Sequence, residues 1–69
     1  MNGAPFADIA VALKTQAGVL AAQASELERI AIDIGLSPGA IDRMVFPARR
    51  QAELIGRAHY IIKALAEAA

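Results

Sequence analysis

The sequence predicts an all-α protein, on three observations. Alanine is abundant, and no alternation of apolar and polar residues persists over the length of a strand. Large apolar residues recur at seven-residue intervals through the first half of the chain. A Gly-Leu-Ser-Pro segment at residues 35–38 then separates two arms of nearly equal length. Helix is therefore the only regular structure that the sequence supports.

The first arm carries a regular heptad pattern. Pro5 suits the first turn of a helix because its missing N–H would have no partner there. Five large apolar residues follow at seven-residue spacing, and alanines lie four positions after the first four of them; these are Phe6, Leu13, Leu20, Leu27 and Ile34, with Ala10, Ala17, Ala24 and Ala31. Small residues in one layer allow a second helix to approach closely. We therefore expect a long N-terminal helix that ends near Ile34.

Two local features compete with a single first helix. Gly18 costs roughly 1 kcal/mol relative to alanine inside a helix. Ser25 and Glu28 match a capping box, which would start a new helix at Glu26. The heptad runs through both positions without a change of phase, so we favour one continuous helix over a break at Ser25.

The second arm begins with a clear start signal. Gly35 suits a helix stop, Ser37 an N-cap and Pro38 the first helical position. Pro47 lacks a backbone donor and disfavours helical geometry in the residue before it. The sequence therefore predicts a short helix over residues 38–45, a kink or restart at Pro47, and a long C-terminal helix over residues 47–67.

Such a chain forms one helical domain over residues 1–69, folded back as a small hairpin or bundle. The composition is 57% hydrophobic, which is more than a 69-residue monomer can bury. We therefore expect self-association, as in a four-helix bundle made of two hairpins. The predicted self-association seam comprises Leu13, Ala17, Leu20, Ala24, Leu27, Ala31, Ile55, His59 and Ile62.

Charge and reactive residues exclude several classes of function. The formal net charge is zero, which gives no overall attraction to nucleic acid. Two basic and four acidic residues give residues 1–36 a charge of −2, while five basic and three acidic residues give residues 37–69 a charge of +2. The chain has no cysteine and one histidine, so we expect no disulfide, no metal site and no cofactor. Since no nucleophile, base and orienting group can be assembled, we expect no enzyme.

Residues 27–46, LERIAIDIGLSPGAIDRMVF, resemble the helix-turn-helix of bacterial transcription regulators and sigma factors. Ala31 matches the small residue between the helices, and Gly35 matches the turn. The resemblance implies a nucleic-acid-binding regulator with candidate contacts at Arg43, Arg49, Arg50 and Arg57. The alternative is a structural corner without a DNA role, because residues 38–40 offer no side-chain hydrogen bond to a base edge.

A shorter segment is similar to the core of the YjiS-like short proteins of alphaproteobacteria. The similarity covers residues 33–37, DIGLS, and residues 41–43, IDR. It implies a bacterial protein with RNA contacts at Arg43, Arg49 and Arg50, assisted by Tyr60. The chain departs from that family because its first helix is not rich in arginine and a long helix follows the shared segment.

Two features of the last helix leave alternatives open. His59 lies between Ile55 and Ile62 on the apolar positions, which predicts a packed or interfacial histidine; a pH-responsive interface is the alternative. The segment over residues 54–65, LIGRAHYIIKAL, is amphipathic. It is expected to pack within a bundle, although helices of this kind also lie on membrane surfaces.

The leading functional expectation is a small, non-enzymatic regulatory or adaptor protein of the cytoplasm, which binds itself and an unidentified protein. The second is the helix-turn-helix-like nucleic-acid-binding regulator, and the third is an amphipathic membrane-surface protein. The location follows from the lack of a basic N-terminal leader and of an apolar run of ~20 residues.

Overall fold

The fold is a hairpin of two long helices, seen in a computed structural model that describes residues 4–68. Helix α1 spans Ala4–Asp33 and helix α2 spans Pro38–Ala68. They pack along each other, and their Cα atoms extend over 53 × 14 × 10 Å. The all-α prediction is confirmed for the described residues. Residues 1–3 and 69 of the expected domain lie outside them.

Helix α1 is continuous, as the heptad pattern predicts. It passes through Gly18 and Ser25 without interruption. Ala24, which precedes the potential cap at Ser25, is fully buried, and Ala10 and Ala31 are nearly so. The seam therefore packs against α2 at both ends and in the middle, which outweighs the modest cost of an interior glycine.

The turn between the helices is closed by backbone hydrogen bonds of the Schellman type. The Leu36 N–H donates to the Ala31 carbonyl at 3.1 Å, and the Gly35 N–H donates to the Ile32 carbonyl at 3.0 Å. Gly35 has a φ of +82°, a conformation that L side chains rarely adopt. The Ser37 hydroxyl then accepts from the Ala40 N–H at 3.3 Å, so Ser37 caps α2 as predicted.

The prediction of two helices in the second arm is wrong, since α2 continues through Pro47. A proline inside a helix removes one hydrogen bond and crowds the carbonyl four residues earlier, at a cost of about 3 kcal/mol. Packing holds the helix together on both sides of it, because Val45 is buried and Ala48 and Ala52 are half-buried. One 31-residue helix therefore replaces the predicted short and long pair.

The hairpin itself has a very small core. Within the described residues the buried apolar side chains are Ala10, Ala24, Ala31 and Val45. Thirteen large apolar side chains remain more than a third exposed. The accessible surface of 4867 Å² compares with roughly 4100 Å² for a compact monomer of the same mass. A two-helix hairpin cannot enclose the apolar content of this sequence.

Candidate interaction surfaces

The exposed residues of the hairpin separate into two faces of different chemistry. Residues seven apart lie on one line along a helix that packs against a neighbour, so rows can be identified from the spacing and the exposure. Both helices place an apolar row on the same side of the plane that contains their axes. Charged side chains occupy the other side, where Arg49 of α2 reaches Glu28 of α1.

The uncharged face consists of two rows on each helix, next to the line of contact and further out. On α1 the inner row is exposed throughout and the outer row includes Val19, which is 43% exposed. On α2 Leu54 is 43% and Ile61 64% exposed. The inner row contains Ile9, Gln16, Gln23 and Ile30 on α1, and Met44, Gln51, Ala58 and Leu65 on α2. The outer row contains Ala12 and Val19 on α1, and Pro47, Leu54 and Ile61 on α2. Together these residues form the uncharged face.

The spacing of these residues is that of a coiled-coil seam. On α2 they follow one another at alternating intervals of three and four residues from Met44 to Leu65. On α1 the same alternation runs from Ile9 to Ile30 and is interrupted once, at Glu26; its exposed carboxylate is paired with Arg29, and it is not counted in the uncharged face. A 3-4 alternation places a continuous stripe toward a neighbouring helix, and this stripe has no neighbour within the hairpin.

The predicted self-association seam lies at the contact between α1 and α2. Ala24 and Ala31 are enclosed there, whereas Ala17 is half-buried. Five larger members are also half-buried, because they lie where the helix contact meets the uncharged face; these are Leu13, Leu20, Leu27, Ile55 and Ile62. The alanines therefore pack between the two helices of one chain, while the larger residues also lie beneath the uncharged face.

His59 joins the two helices near the open end of the hairpin. It is half-buried, and its Nδ1–H donates to the backbone carbonyl of Ala10 at 2.7 Å. Its ring also meets the ring of Tyr60 edge-on at 5.0 Å. The bond requires a proton on Nδ1, because a carbonyl oxygen can only accept, and it holds the ring in one orientation. This interaction was not predictable from sequence, because it depends on the register between the helices.

The charged face, on the opposite side of the hairpin, includes Val11, Ser25 and Glu28 on α1 and Phe46, Arg49 and Tyr60 on α2. An ion pair joins the two helices there. Arg49 donates to both oxygens of Glu28, at 2.9 and 3.3 Å. By this hydrogen bonding, and then by its charge, the guanidinium holds the pKa of Glu28 below its ordinary value, and the carboxylate raises the pKa of Arg49. Arg49 is exposed and Glu28 is half-buried, so solvent weakens the pair and it orients the helices more than it stabilises them.

The four candidate nucleic-acid contacts do not gather into one cluster. Arg49 is engaged with Glu28, and the guanidinium groups of Arg50 and Arg57 lie 3.4 and 2.6 Å from the same oxygen of Glu53. Among residues 4–68, Arg43 is the one member of the four without an ion pair. Arg43, Arg50 and Arg57 are seven residues apart and line the outer edge of α2, whereas Arg49 points toward α1.

Residues 27–46, the segment that resembles a helix-turn-helix, cover the end of α1, the turn and the start of α2. The helices of that motif meet at about 90–120°. Here the helices return alongside each other over their whole length. A surface depression lined by Asp42, Arg43, Val45, Phe46 and Arg49 lies close to the turn, and its most exposed apolar residue is Phe46.

The described residues contain no group of three or more His, Asp or Glu side chains arranged to hold a metal ion. No helix within residues 4–68 is long and apolar enough to cross a membrane. Comparison with family models, curated proteins and solved structures finds no match to this chain. The chemistry of its surfaces is therefore the basis for a functional proposal.

Proposed function

We propose that this chain is a small, non-enzymatic adaptor or regulatory protein that self-associates through its uncharged face and offers its charged face to another protein. The uncharged face carries the proposal. It extends along both helices, and all its members except the half-buried Ala58 are exposed in the isolated hairpin. It also has the residue spacing of a helix-packing surface. Burial of such apolar area favours association, because the removal of apolar surface from water is favourable.

The small core of one hairpin supports the same proposal. Three alanines and one valine are the buried apolar side chains of the described residues, which is little for two helices of 30 and 31 residues. Chains of this size usually need disulfides, a metal or oligomerisation for stability. With no cysteine in the sequence and one histidine, oligomerisation is the remaining route.

Nucleic-acid binding has less support as a function. Three of the four candidate arginines are already paired with carboxylates, and the first turn of α2 presents Pro38 and Gly39 in place of hydrogen-bonding side chains. Protein binding suits the charged face better, because exposed Phe46 and Tyr60 stand among charges of both signs.

Sedimentation equilibrium tests the proposed self-association, and the chain offers a matched pair of variants. Val19 and Val11 are both exposed on α1, but Val19 lies on the uncharged face and Val11 on the charged one. We expect the wild-type chain and Val11→Glu to form a dimer or larger assembly at micromolar concentration. We expect Val19→Glu to weaken that association at least tenfold, because it places a carboxylate in the interface.

A folded 7.2 kDa monomer of the wild-type chain at micromolar concentration would contradict the proposal. Such a monomer that bound anionic vesicles through Val19, and not through Val11, would identify the uncharged face as a membrane-surface element instead. Equal effects of the two substitutions would show that association does not use this face.

A further inference from the structure

The uncharged face carries a polar band at its centre. The two helices reverse at residues 34–37, so positions equally far from the turn lie side by side. Gln51 on α2 is therefore level with the stretch between Gln16 and Gln23 on α1. All three glutamines are exposed, and they occupy the inner rows. Apolar residues continue the same rows toward both ends; these are Ile30 and Met44 near the turn, and Ile9, Ala58 and Leu65 near the open end.

A polar band inside an apolar stripe favours one alignment of two such stripes. Glutamine side chains in a buried interface need hydrogen-bond partners, and leaving one unsatisfied costs about 1–3 kcal/mol. A second copy of the chain supplies matching glutamines at the same height, whereas a uniformly apolar partner does not. Polar residues at core positions of coiled coils set alignment and oligomer state in this way.

The size of the face suits a second copy. The helix pair spans 53 × 14 Å at the level of the Cα atoms, so its projected area is roughly 700 Å² before side chains are added. Stable interfaces bury about 800 Å² on each partner. Two hairpins packed through this face form a four-helix bundle, which encloses the row of half-buried leucines beneath it.

Charge decides between the two symmetric ways of pairing the faces. With the twofold axis parallel to the helices, α1 of each copy lies on α2 of the other, and both turns are at the same end. With the axis perpendicular to the helices, α1 lies on α1 and α2 on α2, with the turns at opposite ends. The described part of α1 carries two basic and four acidic residues, a charge of −2, and α2 carries five basic and three acidic residues, a charge of +2. The parallel axis brings opposite charges together, and the perpendicular axis opposes like charges.

From this geometry, and resting on the self-association proposed above, we propose that two copies pair through the uncharged face about a twofold axis parallel to the helices. In this dimer Gln51 of one copy inserts between Gln16 and Gln23 of the other. Val19 of one copy lies level with Leu54 of the other, and Ala12 lies level with Ile61, so a smaller side chain meets a larger one at both levels.

Site-specific cross-linking tests the pairing, and the absence of native cysteine makes each introduced thiol unique. Val19→Cys and Leu54→Cys are prepared as separate full-length chains. Each variant by itself is treated with a short bifunctional thiol reagent. An equimolar mixture of the two variants, which is first allowed to exchange subunits, is treated in the same way. We expect efficient cross-linking only in the mixture, since the parallel axis brings residue 19 of one copy to residue 54 of the other. Ser25→Cys, exposed on the charged face, is the control, and we expect no efficient product from it alone or mixed with Val19→Cys.

The outcomes separate this inference from the proposal on which it rests. Efficient cross-linking of Val19→Cys with itself would overturn the inference, because the perpendicular axis brings residue 19 close to its own copy. A wild-type dimer whose mixed variants do not cross-link above the Ser25→Cys control would also overturn it, while leaving self-association intact. A wild-type monomer by sedimentation would remove both.

Discussion

Ala24 is the most enclosed side chain of the hairpin, with no accessible surface. It belongs to the row of small residues that sets the distance between α1 and α2. A larger side chain at this position must push the helices apart or distort the leucines beside it, because protein interiors are packed at crystal density.

We therefore expect Ala24→Leu to lower the free energy of unfolding by about 1–3 kcal/mol. Ala22→Leu, on an exposed position of the same helix, is expected to change it little, since it adds surface without a steric conflict. Thermal melts at equal protein concentration compare the two. An unchanged melting midpoint for Ala24→Leu would contradict the close packing of the helices.

Gly35 and Gly18 both have space for a methyl group, but they differ in backbone conformation. A methyl group at either position would meet no atom within 4 Å, but Gly35 has a φ of +82°. We expect Gly35→Ala to destabilise the protein by about 1–2 kcal/mol, the cost of a left-handed conformation for an L side chain. Gly18→Ala is expected to stabilise it by about 1 kcal/mol, because α1 is regular there. Shifts of the same sign in chemical denaturation would contradict the Schellman geometry of the turn.

At the scale of elements, α2 accommodates a proline near its middle. The packing of Val45 and Ala48 on α1 keeps the helix in place although Pro47 provides no N–H for the carbonyl of Arg43. Local geometry alone disfavours a continuous helix at Pro47 and predicts a boundary there. Contacts with a second helix, which local rules do not include, decided otherwise.

Pro47→Ala is expected to raise the free energy of unfolding by about 1–3 kcal/mol, since it restores one hydrogen bond and relieves crowding in the helix. Pro5→Ala is the matched control; an N–H in the first turn has no helical acceptor, so proline forfeits no hydrogen bond there and we expect a change of only a few tenths of a kcal/mol. Denaturant titrations measure both. A loss of stability in Pro47→Ala would show that the packing of α2 depends on a bend at the proline.

The Glu28–Arg49 pair connects the elements and gives stability a pH dependence. The pKa of Glu28 is lowered in the folded chain, so its contribution is present above its unfolded pKa of about 4.3 and is lost as the pH falls through the folded value. We expect the wild-type melting midpoint to fall more steeply below pH 4.5 than that of Glu28→Gln. Arg49→Gln should flatten the same part of the curve, and the double variant should add nothing further. Parallel curves for wild type and Glu28→Gln would show that the pair does not contribute.

At the scale of the whole molecule, the distribution of arginines bears on nucleic-acid binding. We expect no sequence-specific DNA binding at physiological salt, because three of four arginines are paired and residues 38–40 lack side-chain hydrogen-bonding groups. A salt-dependent gel shift with pooled genomic fragments measures this. Any weak binding should disappear, with its salt dependence, in the triple variant Arg43→Ala, Arg49→Ala, Arg50→Ala. A nanomolar, competitor-resistant complex with one defined site would establish the nucleic-acid function instead.

Much of this architecture was determined by the sequence alone. The heptads, Gly35, and the Ser37–Pro38 start signal specify two helical arms and the turn between them, because each depends on the conformation of a few neighbouring residues. The excess of apolar residues likewise predicts a surface that one hairpin cannot bury. The tertiary structure alone decided that α2 runs through Pro47, that His59 bonds Ala10 and Glu28 bonds Arg49, and that the unused apolar rows of both helices share one side. These features depend on the register and rotation of one helix against the other, which are set by packing between residues far apart in the chain.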